Sequence, residues 1–233
     1  MSLVREQKVQ GELLALFDRL DSNEFQWMIK EYLAQHSDKM CELVASRAKF
    51  DLLDFLVQGG FPLSANVLSA AITASAPPEV IEKLITVHHC PVSAECIMSA
   101  IATNNFEMAK FLRRLNCPVD SRCFDVAAGW GNMEILEWLK TEGCPWDGNA
   151  LIRAARYGHL EVLKWLKANN CPFDPFPLSD LVVFAAISGS VPLVEWVLAQ
   201  PEIASVLTDD VIRKAIRNCG QMVQQILSSR LMS

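Results

Sequence analysis

The sequence predicts an all-α protein built as a solenoid of stacked helical hairpins, and three observations carry that prediction. The pair Cys-Pro occurs at Cys90-Pro91, Cys117-Pro118, Cys144-Pro145 and Cys171-Pro172, which makes three successive intervals of 27 residues. Counting back from Trp165 by the same interval reaches Trp138, then Phe111, then Leu84. The small pair Ala154-Ala155 likewise maps onto Ala127-Ala128 and onto Ala100-Ile101, and Gly158 maps onto Gly131. A fixed period between roughly 20 and 50 residues, with one helical hairpin in each unit, is the signature of a solenoid.

The unit at 150–174 shows how such a hairpin is written. Ala154 and Ala155 are small, so another helix can approach closely there. Gly158 suits a backbone of positive φ at the end of the first helix. Leu160, Leu163 and Trp165-Leu166 then recur at helical spacing, with Glu161, Lys164 and Lys167 on the other side. Cys171-Pro172 stops the second helix, because proline has no N–H and biases its predecessor away from the α region. One such hairpin cannot bury its apolar stripe alone, which is why like neighbours are required.

Taken from the N-terminus, residues 3–36 read as two helices. The first has an apolar face of Leu13, Leu14, Leu16, Phe17 and Leu20; the second follows the capping residues Asp21-Ser22-Asn23 and carries Phe25, Met28, Ile29, Tyr32 and Leu33. Residues 1–37 are expected to cap the stack, since an end unit needs a polar outer face. Residues 38–63 form a degenerate first repeat, with Gly59-Gly60-Phe61-Pro62 in place of Cys-Pro. Residues 64–92 follow with two extra residues around Ala76-Pro77-Pro78, and 93–120, 121–147 and 148–174 are regular. An insertion begins at Pro175-Phe176-Pro177, since Trp165 and Trp196 are 31 residues apart rather than 27. About six repeats thus occupy 38–207, and 208–233, polar through Arg213, Lys214, Arg217, Gln221, Gln224 and Gln225, reads as a C-terminal capping hairpin. No linker interrupts the series, so one continuous domain is expected.

The residues at 154–166, Ala-Ala-Arg-Tyr-Gly-His-Leu-Glu-Val-Leu-Lys-Trp-Leu, resemble the core of an ankyrin repeat, and Gly-Asn-Met-Glu-Ile-Leu-Glu-Trp-Leu at 131–139 is a second close copy. The usual ankyrin unit has about 33 residues and opens with T-P-L-H-x-A. Asn149-Ala150-Leu151-Ile152-Arg153-Ala154 stands at that opening without the threonine, proline or histidine. The missing residues belong, by this resemblance, to the β-turn finger, which Cys144-Pro145-Trp146-Asp147 and Cys171-Pro172-Phe173-Asp174 shorten. The chain looks like the short Cys-Pro-Trp-Asp variety, an ankyrin-like α-solenoid with shortened fingers and helical end caps. Leucine-rich and tetratricopeptide repeats are excluded by pattern, because no unit has a strand with alternating leucines and the tetratricopeptide period is longer.

Composition narrows the function classes. A hydrophobic fraction of 51% suits a stack whose units cover one another on two sides. The net charge of −6 gives no basis for a nucleic-acid or acidic-membrane partner. Residues 1–20 lack the apolar run of a signal peptide, since Arg5, Glu6, Lys8, Glu12, Asp18 and Arg19 punctuate them. Residues 181–199 approach the length of a membrane span, but Ser188-Gly189-Ser190 and Pro192 divide them where the repeat turns, so two buried helices are expected. Eight cysteines without a secretion signal read as reduced thiols in a cytoplasmic or nuclear protein. The Cys-Pro cysteines should lie one stacking distance apart, on the order of 8–10 Å, too far for disulfides. The pairs Cys90/Cys96 and Cys117/Cys123 lack zinc-site spacing, so small buried hydrophobes are expected and no metal or cofactor.

Function is expected on the surface of the stack. In ankyrin proteins binding usually uses the concave face, and by register the two residues after each small pair look onto it. Trp130 and Tyr157 are then neighbours on adjacent repeats, flanked by Arg153 and Arg156, with Thr103, Asp125 and Ser188 completing the candidate surface. Tryptophan, tyrosine and arginine are the residues enriched at interface hot spots. Phe176, between two prolines on the insertion, is a secondary candidate. Trp138, Trp165, Trp196, Phe111 and Phe55 recur at one position and read as packing, as do Trp146 and Phe173. Enzyme chemistry finds no phosphate-cradling loop and no nucleophile elbow. His159 occupies a turn from which its imidazole can cap a neighbouring hairpin. The expectation is therefore a non-enzymatic scaffold, a monomer when free, that holds a protein or peptide partner. The alternative is an adaptor subunit docking into a larger complex through its N-terminal helices.

Overall fold

The computed structural model describes residues 39–58, 60–172 and 178–231; the expected N-terminal helices, Phe173 and Phe176 lie outside these. The chain groups into two compact units, Met1–Val92 and Ser93–Ser233, divided at the repeat boundary after Cys90-Pro91-Val92. All regular secondary structure among the described residues is helical. In the first unit the hairpins are α1 (Met40–Ser46) with α2 (Phe50–Gln58) and α3 (Ala65–Thr73) with α4 (Pro78–Thr86). In the second they are α5 (Ala94–Ala102) with α6 (Phe106–Arg114), α7 (Ser121–Trp130) with α8 (Met133–Thr141), and α9 (Gly148–Arg156) with α10 (Leu160–Ala168). They continue with α11 (Leu178–Ser188) and α12 (Val191–Leu198), a single turn α13 (Pro201–Ala204), and the last pair α14 (Asp209–Ile216) and α15 (Gln221–Leu231). The break between α11 and α12 falls at Gly189, inside the apolar run at 181–199. No helix among the described residues is long and apolar enough to cross a membrane.

Two kinds of contact build each unit. The second helix of a hairpin packs on its own first helix, and the first helices pack on one another: α1 on α3 within the first unit, and α5, α7, α9, α11 and α14 in series within the second. This arrangement of neighbouring pairs is compatible with a helical-repeat solenoid. The small residues explain the second contact. Ala100, Ala127, Ala128, Ala154, Ala155, Ala185, Ala186 and Ala215 are all essentially inaccessible to solvent, so the first helices meet through methyl groups. The second helices contribute larger wedges, such as Ile135, Leu136 and Leu139 from α8, each fully buried and each stabilising by roughly 1.5–3 kcal/mol.

Most of the hairpins turn on the same backbone device. Ser75, Asn104, Gly131, Gly158 and Gly189 follow the first helices with φ between +54 and +81, and His89, Asn116, Gly143 and Asn170 follow the second helices with φ between +52 and +69. The residue after each of these often donates its N–H five positions back, as Asn132 does to Ala127 and Cys144 to Leu139, which satisfies the last free helix carbonyls. Asp120 and Asp147 then cap α7 and α9 by accepting from the N–H groups of Arg122 and Asn149.

The Cys-Pro pair ties the two ends of a hairpin together. The thiols of Cys90, Cys144 and Cys171 donate to the carbonyls of Ser64, Asp120 and Asp147, the residues before the first helices of their own hairpins, at 3.1–3.5 Å. Burial pushes the Cys171 thiol up to about 12, so it stays protonated and keeps its donor. Three of the aromatic positions pack ring on ring: Trp146 lies 5.1 Å from Phe124 and 5.8 Å from Trp165, and Trp138 5.4 Å from Phe106.

His159 joins two hairpins. Its Nε2–H donates to the Gly129 carbonyl at 2.9 Å, and its ring covers Gly131, where an added Cβ would meet Nδ1 at 2.5 Å. Gly131 therefore needs its missing side chain twice, for φ +71 and for the imidazole. Gly143 has φ +69 and nothing within 4 Å of such a Cβ. Gly143→Ala should cost about 1 kcal/mol, the backbone strain alone, and Gly131→Ala up to about 3 kcal/mol. In a denaturant-melt cycle, Gly131→Ala combined with His159→Ala should lose less than the sum of the two.

Candidate functional site

The C-terminal ends of the first helices form one face of the second unit, because α7, α9, α11 and α14 pack side by side in that order. The large apolar side chains at three of those ends are turned out to solvent. Trp130 closes α7 and is 58% exposed, Tyr157 follows the last residue of α9 and is 54% exposed, and Ile187 stands near the end of α11 and is 39% exposed. Few large hydrophobic side chains are exposed elsewhere on the described residues, so a row of three on consecutive helices is not the scatter expected of an ordinary surface. Trp130 is not folded back over its neighbour to cover core.

Local structure explains why the row stands where it does. Gly129 has no side chain, and a Cβ placed there would touch the Tyr157 ring at 3.5 Å and Arg153 Cβ at 4.0 Å. The Tyr157 ring can therefore lie close over the end of α7. Arg153, one turn before Tyr157, shares that flank of α9. Arg156 is exposed on the other side, with its guanidinium 5.8 Å from the Phe184 ring of α11.

The sequence-predicted residues separate into three groups in the structure. Trp130, Tyr157, Arg153 and Arg156 are exposed at the adjoining ends of α7 and α9. Thr103 and Ser188 lie at the same level, but their hydroxyls are used locally. Thr103 donates to the carbonyls of Ser99 and Ala100, while Ser188 donates to the Ala185 carbonyl and accepts from the Ser190 N–H. Asp125 lies one turn N-terminal to Gly129, half-buried against α9. By register Ile187 stands beside Ser188 on the face, whereas Arg217 read only as part of the polar C-terminal hairpin. The signal for Arg217 was present: extending the buried pairs from Ala154-Ala155 through Ala185-Ala186 to Ala215-Ile216 puts it level with Arg156.

Asp125 is the strained member of the group. Its Oδ1 is buried and has no hydrogen-bond partner among the described residues. Burial raises its carboxyl to about 6, Asp147 and then Asp120 add to the effect, and the Arg153 guanidinium opposes it. A group kept at such a cost beside exposed aromatic side chains is what functional surfaces tend to contain. No group of three or more histidine, cysteine or carboxylate side chains suited to a metal ion occurs among the described residues.

The sign of the Asp125 shift gives a stability test. The carboxyl binds its proton more tightly in the folded chain than at its ordinary value of 3.8, so its contribution is fully present below about pH 4 and is lost as pH rises through about 6. Asp125→Asn should be more stable than wild type at pH 7 by on the order of 1–2 kcal/mol, with the gap closing toward pH 4. Urea melts across that range check it; a gap independent of pH would exclude ionisation of Asp125 as the cause.

Comparison with known proteins adds no relative: no family model matches the chain, and no curated protein matches it.

Proposed function

We propose that the chain is a non-enzymatic recognition scaffold of ankyrin-like repeats that holds a protein or peptide partner across the ends of its first helices. The observation that carries this reading is the exposed row of Trp130, Tyr157 and Ile187 on three consecutive helices. Large aromatic side chains flanked by arginine are the composition of an interface hot spot, and here they sit on well-packed helices that need little ordering on binding. The 27-residue period, the Cys-Pro stops and the likeness of 154–166 to an ankyrin core support the family reading.

Two further features favour binding over catalysis. The cysteines of the repeats are buried, and burial holds the thiols of Cys41, Cys117 and Cys171 protonated at ordinary pH, which removes them as nucleophiles. His159 spends Nε2 on a main-chain carbonyl and lies over Gly131, the role of a staple. On this reading the protein works in the cytoplasm or nucleus, is a monomer when free, and takes neither nucleic acid nor membrane as its partner.

The double substitution Trp130→Ala with Tyr157→Ala tests the proposal. Both side chains are more than half exposed, so the melting temperature should move little. Capture of the partner from native lysate should drop by tenfold or more, the scale of about 1.4 kcal/mol or more of hot-spot energy. Undiminished capture by the folded mutant would refute the proposal.

A further inference from the structure

Acidic side chains open three first helices of the second unit, and arginines stand at the ends of two. The acidic residues Glu95, Asp180, Asp209 and Asp210 all lie in the first turns of α5, α11 and α14. The basic residues Arg153 and Arg156 lie in the last turn of α9, and Arg217 directly follows α14. The exposed apolar row occupies the same ends as the arginines.

The arginines also differ from other cations of the unit. Arg113 pairs with Glu142, Arg122 with Glu95 and Asp120, Lys167 with Glu202, and Lys214 with Asp180, at 2.8–3.4 Å. Several of these bridges join one hairpin to the next and serve the stack itself. Arg153, Arg156 and Arg217 make no ion pair among the described residues. Asp125 acts on Arg153 without reaching ion-pair distance. In a chain of net charge −6, the surface that exposes its apolar side chains thus also carries unpaired positive charge.

We infer that the partner segment is an extended, acidic and apolar stretch of polypeptide, whose carboxylates meet Arg153, Arg156 and Arg217 and whose apolar side chains lie on Trp130, Tyr157 and Ile187. This inference rests on the reading of the face as a protein-binding surface and adds the chemistry of the occupant. Guanidinium takes a carboxylate through two parallel N–H donors, and complementary charge sets which partner is accepted. Geometry sets the length. Four helices at roughly 8–10 Å spacing span about 24–30 Å, which an extended chain rising about 3.3 Å per residue crosses in about eight residues. A nucleic-acid strand is the lesser fit, since three arginines in an acidic chain are a small footprint beside the basic stripe of nucleic-acid binders.

The test uses the full chain labelled with a fluorophore on an array of ten-residue peptides that combine Leu, Phe or Trp with Asp or Glu. Matched arrays carry Lys or Arg, or Ser or Gln, in place of the acids, and an oligouridylate of equal negative charge is titrated in solution. The acidic array should bind best, and its strongest peptides should weaken at least tenfold with Arg156→Glu plus Arg217→Glu and with added salt. Arg156→Gln plus Arg217→Gln, closer in shape to the native side chains, should weaken them less but in the same direction, with unchanged melting curves for both variants. Preference for basic or uncharged peptides, a bare array, binding indifferent to the substitutions, or tighter binding of the oligouridylate would each overturn the inference. If partner capture still depends on Trp130 and Tyr157 in any of these cases, the binding surface stands and only the assigned chemistry falls.

Discussion

At Ala127, Ala128, Ala154 and Ala155 neither of two adjoining helices presents a side chain longer than a methyl group, and all four positions are inaccessible to solvent. That close approach is the constraint from which the second unit follows. Helices that meet through alanine sit near the short end of the usual interaxial range, so the first helices form a tight series and the bulkier second helices are kept to the outer side of each hairpin. A larger residue at any of these alanines would force a pair of packed helices away from each other, and overpacked cores lose about 1–3 kcal/mol for such an insertion. The wider aromatic residues are accordingly found elsewhere, in Trp146, Trp165 and Trp138, where rings pack on rings at 5.1–5.8 Å.

Helical hairpins held this closely need turns of fixed shape, and the chain supplies them by a means only partly visible in its letters. Gly131 and Gly158 announce a left-handed turn because glycine takes positive φ without penalty. Asn104 and Ser75 occupy the same place in earlier hairpins with φ +54 and +60, yet asparagine and serine are common in many other settings. The period could be read and the backbone conformation at those two units could not. The cysteines are a similar case. Their burial was legible from the recurrence of Cys-Pro, but the thiol donating to the carbonyl before the first helix is a contact between residues 24 or 26 apart, which no local pattern reveals. The single turn α13 was also hidden, because residues 201–204 fall in the irregular spacing after the insertion.

The candidate face was legible where register alone decided exposure and illegible where packing did. Trp130 and Tyr157 follow small pairs that must be buried, so the helical repeat carries them outward whatever their type. Register puts Asp125 one turn before Gly129, but its position beside α9, with one oxygen shut away from water, depends on how closely α7 and α9 approach. Thr103 and Ser188 look equivalent to Trp130 by register, and the difference lies in chemistry. A hydroxyl at the end of a helix finds a carbonyl three or four residues back, whereas an indole or a phenol ring has nothing comparable to fold onto.

The same reasoning says why recognition belongs at these helix ends and not along the helices. Between the ends, the buried side chains of a first helix pack against neighbouring helices, and changing one disturbs that packing. At the left-handed turn the chain reverses, the last helix carbonyls are satisfied, and His159 fastens Gly129 from the adjacent hairpin. More than half of the side chain at 130 and at 157 then stands clear of the packing beneath. A platform rigid in its backbone can present rings and guanidinium groups with little ordering left to do on binding. The tight alanine contacts that restrict the interior are therefore what leaves the rim free to specialise.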